Sequence, residues 1–262
     1  MRKLILFALA LVLTGVLVSF KCVARAATET ELRVAVAADL APAIPEIAAA
    51  YAKLHPEVQI LTSIGSSVQL RQQIESGAPF DVFLSADREQ PQALVEAGKA
   101  IGPPTLYALG QLVIVSKAHI KDVHALTSAG VKKIAIANPA HAPYGRAAMA
   151  ALKSARIWDA VQAKIVYGEN VAQTAQFILS GNVDAALVSA TAASSAKQFH
   201  VHAVDEDLYP KILQAGVVVS DTAHIEQARE FLEFMESATV RRLLTAHGLQ
   251  IPNSKNANST HR

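Results

Sequence analysis

Leu32-Arg33-Val34-Ala35-Val36-Ala37-Ala38-Asp39-Leu40 is an apolar run that ends on small residues and an acid. The run is short, β-branched and apolar, the composition of a buried strand. Asp39 is a residue type that caps helices. Ile44, Ile47, Ala48 and Tyr51 then recur at helical spacing, which predicts a helix to about Leu54. One strand running into one helix is the unit from which the rest of the chain is read.

The unit recurs. Strands are predicted over 58–63, 81–85 and 106–115, with a helix over 68–76 ended by Gly77 and another opened near Pro91. A second block follows, with strands over 133–137, 164–167, 184–189 and 199–204 and helices over 145–157 and 171–180. The long apolar strand 213–219 and helices over 223–237 and 240–247 close the pattern. Such alternation predicts an α/β fold with largely parallel sheets. Two blocks joined near 106–115 and 213–219 predict two lobes with two crossover strands. Lobe I is 27–109 and 216–252, lobe II is 110–215, and 253–262 is a loose polar tail. A cleft between the lobes is the expected ligand site.

Residues 1–26 read as a leader. Arg2 and Lys3 precede seventeen uncharged residues, and Ala24-Arg25-Ala26 gives an A-x-A cleavage pattern, so a cleaved secretory signal peptide and an exported, periplasmic protein are expected. The whole chain of 262 residues carries net +2. Its 24 bases less Arg2, Lys3, Lys21 and Arg25 leave 20 against 22 acids, so the remaining 236 residues carry net −2. Cys22, the single cysteine, leaves with the leader. No internal disulfide, cysteine-based metal cluster or basic nucleic-acid face is expected. A hydrophobic content of 52% argues against disorder.

Catalytic signatures are missing. The sequence holds no phosphate-cradling or dinucleotide glycine motif, no H-E-x-x-H and no G-x-S-x-G. The nine histidines are scattered; His200 and His202 share a strand face without an acid or cysteine to complete a ligand set. Asp81 is read as positioning a strand entry, Asp87 as capping the turn before Pro91, and Trp158 as core. Asn258-Ser259-Thr260 is an isolated sequon.

The informative residues lie where strands run into helices: Ala37-Ala38-Asp39, Gly65-Ser66-Ser67, Pro143-Tyr144-Gly145 and Glu169-Asn170-Val171. Helix starts present N–H groups without intrahelical partners and the positive end of the dipole. Several of them facing one cleft make an anion site without lysine or arginine. Taken singly, each junction is also what ordinary capping produces.

The stretches 34–40, Ile64-Gly65-Ser66-Ser67 and Gly77-Ala78-Pro79-Phe80-Asp81-Val82-Phe83-Leu84-Ser85-Ala86-Asp87 resemble the periplasmic molybdate-binding proteins of ABC importers. Asn138-Pro139, Ala142-Pro143-Tyr144-Gly145 and Gly168-Glu169-Asn170-Val171 extend the likeness, which covers nearly all of 32–252. The resemblance implies a two-lobed periplasmic binding fold of type II, closing on a tetrahedral oxyanion. It implies ligand contacts from Ser67 through hydroxyl and N–H, from Tyr144 and Val171 through N–H, and from Asp39, with Ala38 and Ser66 beside them. The metal would be bound only as its oxyanion, with no direct ion ligands. No cofactor, no catalysis, no nucleic acid, a membrane permease as partner and a monomeric state are implied as well.

Two positions depart from the resemblance. Asp39 stands where a small polar residue is usual, and a carboxylate facing a dianion repels it. Either Asp39 turns back to cap its own helix, which is the simpler arrangement, or it is protonated and donates to the ligand. Ser189 stands where many relatives carry tyrosine; Tyr144 is the candidate replacement phenol. The expected function is therefore capture of molybdate or tungstate for an ABC permease. Alternatives are another tetrahedral oxyanion such as sulfate or a phosphorus oxyanion and, from other classes, a small hydrolase or transferase or a sensory domain.

Overall fold

A computed structural model of the chain describes residues 30–252. The leader with Cys22 and the tail with its sequon lie outside the described residues. Among the described residues no helix is long and apolar enough to cross a membrane.

The first half is built from β1 (Thr30–Ala37), a 3-10 turn (Ala38–Leu40), α1 (Ile44–Ala52), β2 (Val58–Gly65), α2 (Ser67–Glu75), β3 (Val82–Ser85), α3 (Glu89–Glu96) and β4 (Ala100–Gly110). The second holds β5 (Leu112–Ser116), β6 (Ile134–Ala137), α4 (Pro143–Ser154), α5 (Trp158–Val161), β7 (Ile165–Gly168), α6 (Val171–Leu179), β8 (Ala185–Ser189), α7 (Ala190–Ala193) and β9 (His200–Ala203). The chain then returns through β10 (Ile212–Val219), α8 (Ile225–Phe234) and α9 (Ala238–Ala246).

Two five-stranded sheets result, ordered β2-β1-β3-β10-β4 and β7-β6-β8-β5-β9. Pairing is parallel within the strand–helix repeats of each half, β1 with β3 and β6 with β7 and β8. It is antiparallel around the strands that carry the chain between halves, β10 with β3 and β4, and β5 with β8 and β9. The sheets are therefore mixed, the parallel part being the part that strand–helix alternation reveals.

The run 106–115, expected as one strand, is two. Gly110 ends β4 in the first sheet and Leu112 starts β5 in the second, while the carbonyl of Gln111 between them accepts from Ala190 N at 3.0 Å. Residues 212–215, assigned from sequence to the second lobe, already pair with β4 in the first sheet. Trp158 is half-buried, packed against the core of the second half with Lys153 over its ring at 5.7 Å.

Both faces of the first sheet are covered. Val34 and Val36 of β1 join Ile47, Tyr51, Phe231 and Leu244 beneath α1, α8 and α9. Ala35, between them in sequence, joins Leu70, Ile74, Phe83 and Leu94 beneath α2 and α3. This is the two-residue period of a strand buried on both sides. Packing from both sides fixes where the carboxyl ends of the strands emerge, and the site lies there.

Candidate functional site

At the carboxyl ends of β1, β2, β3, β6 and β7 the chain enters loops and helix starts that face one small pocket. Its walls are Ala37, Ala38, Asp39, Gly65, Ser66, Ser67 and Ala86 from the first half and Ala142, Pro143, Tyr144, Asn170 and Val171 from the second. All six residues singled out from the sequence, Asp39, Ser67, Tyr144, Val171, Ala38 and Ser66, are in this list. No lysine, arginine or histidine lines the pocket. Its volume is about 10 Å³, on the scale of one water molecule.

Ser67 is buried and opens α2. Its Oγ accepts from Ala86 N at 3.1 Å, which leaves the hydroxyl proton to donate elsewhere. Ser66 differs: its Oγ donates to Gln69 Oε1 at 2.8 Å, so its proton is engaged within the first half. Tyr144 is the first residue of α4 with an N–H, since Pro143 precedes it. Val171 opens α6 behind Asn170, whose side chain accepts from Gln173 N at 3.0 Å. These first-turn amides have no intrahelical acceptor.

Gly145 lets α4 approach. A Cβ there would lie 2.1 Å from the Ala137 carbonyl oxygen, so the start of α4 sits directly on the end of β6. The glycine thereby carries the Tyr144 amide to the pocket.

Asp39 is fully buried within a three-residue 3-10 turn whose N-cap is Ala37. The backbone amides of Asp39 and Leu40 in that turn help to hold the charge of its carboxyl. The carboxylate also accepts from Gln214 Nε2 at 2.5 Å through Oδ2. Gln214 Nε2 also donates to the Tyr144 hydroxyl at 3.1 Å. Burial pushes the Asp39 carboxyl up to about 7, against the lowering effect of the bonds from Gln214 and Tyr144. Asp39 Oδ1 and Gln214 Oε1 are both buried without a hydrogen-bond donor.

Ser189 is not among the pocket walls. Its Oγ accepts from Ala192 N at 3.1 Å and pairs with Thr191 Oγ1 at 2.7 Å, capping α7. The Tyr144 phenol lies beside Asp39 and accepts from Gln214, and burial with the nearby Asp39 charge raises it well above its usual range.

Two side-chain pairs and one backbone bond join the halves at the rim. Arg146 of α4 pairs with Asp87 after β3, and Gln69 of α2 donates to Glu169 before α6. Val68 N donates to the His141 carbonyl at 3.3 Å. Asp87 also caps α3, Gln90 N donating to Oδ1 at 3.0 Å, as its place before Pro91 predicts. Asp81 holds the start of β1 through Arg33 N at 2.6 Å. Gln214, Arg146 and Tyr107, whose hydroxyl donates to the Ser85 carbonyl at 2.8 Å, are not singled out by the sequence. Arg146, next to a motif glycine, was the only one with a local signal.

A larger pocket, about 270 Å³, lies at the opposite end of β1 between Glu31, Arg33, Asp81, Asp221 and His224. Three carboxylates against two basic groups make it a poor receptor for an anion.

Comparison with known proteins places this geometry. Residues 32–250 match the family model described as bacterial extracellular solute-binding protein. The molybdate-binding protein of Rhodobacter capsulatus is 31% identical over 83% of this chain and 87% of its own. That of Azotobacter vinelandii is 32% identical over 87% and 91%. The solved Azotobacter vinelandii periplasmic molybdate-binding protein superposes with a TM-score of 0.80 at 30% identity, covering 85% of this chain and all of that one.

Proposed function

The chain belongs to the bacterial extracellular solute-binding protein family, and on that premise we propose that it captures molybdate, or its congener tungstate, outside the cytoplasm and delivers it to an ABC permease. It is a binding protein, not an enzyme. The carrying observation is the pocket itself: hydroxyl and amide donors converge from both halves, and no cation lines it. A dianion there is held by directed hydrogen bonds, each worth roughly 1.5–3 kcal/mol toward a charged group.

In this reading Ser67 gives its hydroxyl and N–H, Tyr144 and Val171 give N–H groups, and Ala38, Asp39 and Ser66 complete the wall. The metal is never ligated by the protein; it arrives wrapped in its oxygens. The two halves act as lobes that part at the rim contacts to admit the ligand and pivot about the crossings at Gln111 and 204–211. The working protein is a periplasmic monomer freed of its leader.

Thermal unfolding with molybdate, tungstate, sulfate and phosphate tests the proposal. Molybdate and tungstate should raise the unfolding temperature strongly, because a ligand bound only by the native state stabilises by mass action. Stabilisation by sulfate or phosphate alone would transfer the site to another oxyanion, and stabilisation by none would refute oxyanion binding.

A further inference from the structure

The pocket holds a carboxylate where it should receive an anion. Asp39 lines it, is fully buried, and has one oxygen without a donor. No side chain in the wall carries positive charge to offset it. We propose that the pocket takes up its dianion together with one proton, held on the Asp39 carboxyl, so that Asp39 acts as a hydrogen-bond donor in the liganded state. This rests on the oxyanion-binding reading above and adds the protonation that reading leaves open.

Among the described residues, the surroundings of Asp39 leave no other group to absorb the charge. Helices α6 and α7, which pack on the 3-10 turn, carry no titratable side chain. From α4 comes Tyr144, from β4 Tyr107 and from β10 only the neutral Gln214. Both phenols are pushed well above their usual range by burial and stay neutral. Arg146 on α4 is engaged by Asp87, and Lys153 lies over Trp158 at the far end of that helix. Glu169 at the rim is bonded by Gln69. Glu31 and Arg33 sit at the other end of β1.

The protonation equilibrium is already poised. Burial pushes the Asp39 carboxyl up to about 7, so the proton is held far more tightly than by an exposed aspartate before any ligand arrives. A dianion in contact with it raises the affinity for the proton further, and linkage makes the effect mutual: the proton raises affinity for the dianion. The sign follows. Below about pH 7 the proton is present and affinity is full; above it, binding must draw a proton from solvent, and affinity falls by up to about tenfold per pH unit. The molybdate dianion itself carries no proton in this range, so the slope belongs to the protein.

Calorimetric titration of the protein with sodium molybdate, between about pH 6 and about pH 9 and in two buffers of different ionisation enthalpy, reads the proton count directly. About one proton taken up per molybdate at the alkaline end, with weakening affinity, is expected. Asp39→Asn keeps a donor but cannot titrate; it should show no proton uptake, a flat profile, and tighter binding than the parent at the alkaline end. Molybdate binding by the unaltered protein with no uptake and no slope would overturn the proposal and leave the function intact. The same uptake in Asp39→Asn would move the proton elsewhere and overturn it too. Loss of binding by a folded Asp39→Asn at every pH would show that the carboxylate serves as an acceptor, again overturning it. Failure of molybdate to bind even at the acid end would sink the oxyanion reading and the proton linkage together.

Discussion

Gln214 donates its side-chain amide to the Asp39 carboxylate at 2.5 Å, across 175 positions of sequence. The bond ties the strand that re-enters the first sheet to the turn that floors the pocket, and the same nitrogen reaches the Tyr144 hydroxyl of the second half. One amide thus couples a titratable group to both halves of the molecule. Removing it should be felt in stability, in protonation and in the pocket.

The stability of the ligand-free protein should fall as pH rises from about 4 to about 7 and level off above that. An aspartate titrates near 3.9 in the unfolded chain. In the fold Asp39 titrates at about 7. The native state therefore binds the proton more tightly, and its relative stability is full below about pH 4 and lost as pH climbs through about 7. The raised carboxyl costs on the order of 4 kcal/mol at mildly alkaline pH. Asp39→Asn removes this penalty. Denaturant midpoints near pH 5 and near pH 8 should show the variant gaining on the parent at the higher pH; equal shifts of both proteins would refute a buried, raised Asp39.

Ser67→Ala should weaken molybdate binding by at least ~1 kcal/mol. The hydroxyl accepts from Ala86 N and has its proton left to give, so the substitution removes a ligand donor and strands one buried amide. Calorimetry reads the first effect and thermal unfolding without ligand the second. Unchanged affinity would take Ser67 out of the site.

What the sequence shows and what it hides differ by range. The strand–helix junctions are legible because each is local: an apolar run, a small residue, a cap. Ser67, Tyr144 and Val171 were found that way, and the fold brings them to one pocket. Gln214 was not found, because it sits inside Ile212-Leu213-Gln214-Ala215-Gly216-Val217 and nothing local says its partner lies on another strand. The break at Gln111 is hidden for a related reason: apolar residues continue on both sides while the sheet changes. The start of β4 was missed because Pro103 and Pro104 argue against a strand. Both are tolerated there because β4 is the last strand of its sheet and the two prolines fall at a register shift in its pairing with β10, between Ile101 and Thr105.

Arg146→Gln should loosen the rim without damaging the fold. The pair with Asp87 crosses between halves, but the arginine is 40% exposed, so screening limits its worth to about 1 kcal/mol or less. Asp87 is the worse target, since it also caps α3. The expected change is a few-fold faster release of molybdate in stopped-flow measurements, with the unfolding temperature nearly constant. A release rate equal to the parent's would show that the pair does not restrain the halves.

Gly110→Ala should collide with the phenol of Tyr144, and Tyr144→Phe should relieve part of the collision. A Cβ at Gly110 would stand 2.2 Å from the Tyr144 hydroxyl oxygen and 3.0 Å from both its Cζ and the Ile212 Cγ2. The backbone of Gly110 is not in the left-handed region, so the requirement for glycine is purely one of space. The phenol cannot swing aside cheaply, because Gln214 donates to it and it lies buried beside Asp39. Overpacking of this kind costs about 1–3 kcal/mol. Tyr144→Phe alone loses the hydroxyl bonds, about 1 kcal/mol. Together the two changes should cost less than their sum, with a coupling of about 1 kcal/mol, since the atom in conflict is the one deleted. Relief stays partial because Cζ and Ile212 remain close. Strict additivity in a double-mutant cycle of unfolding free energies would place the phenol elsewhere and dissolve the Asp39–Gln214–Tyr144 cluster as drawn.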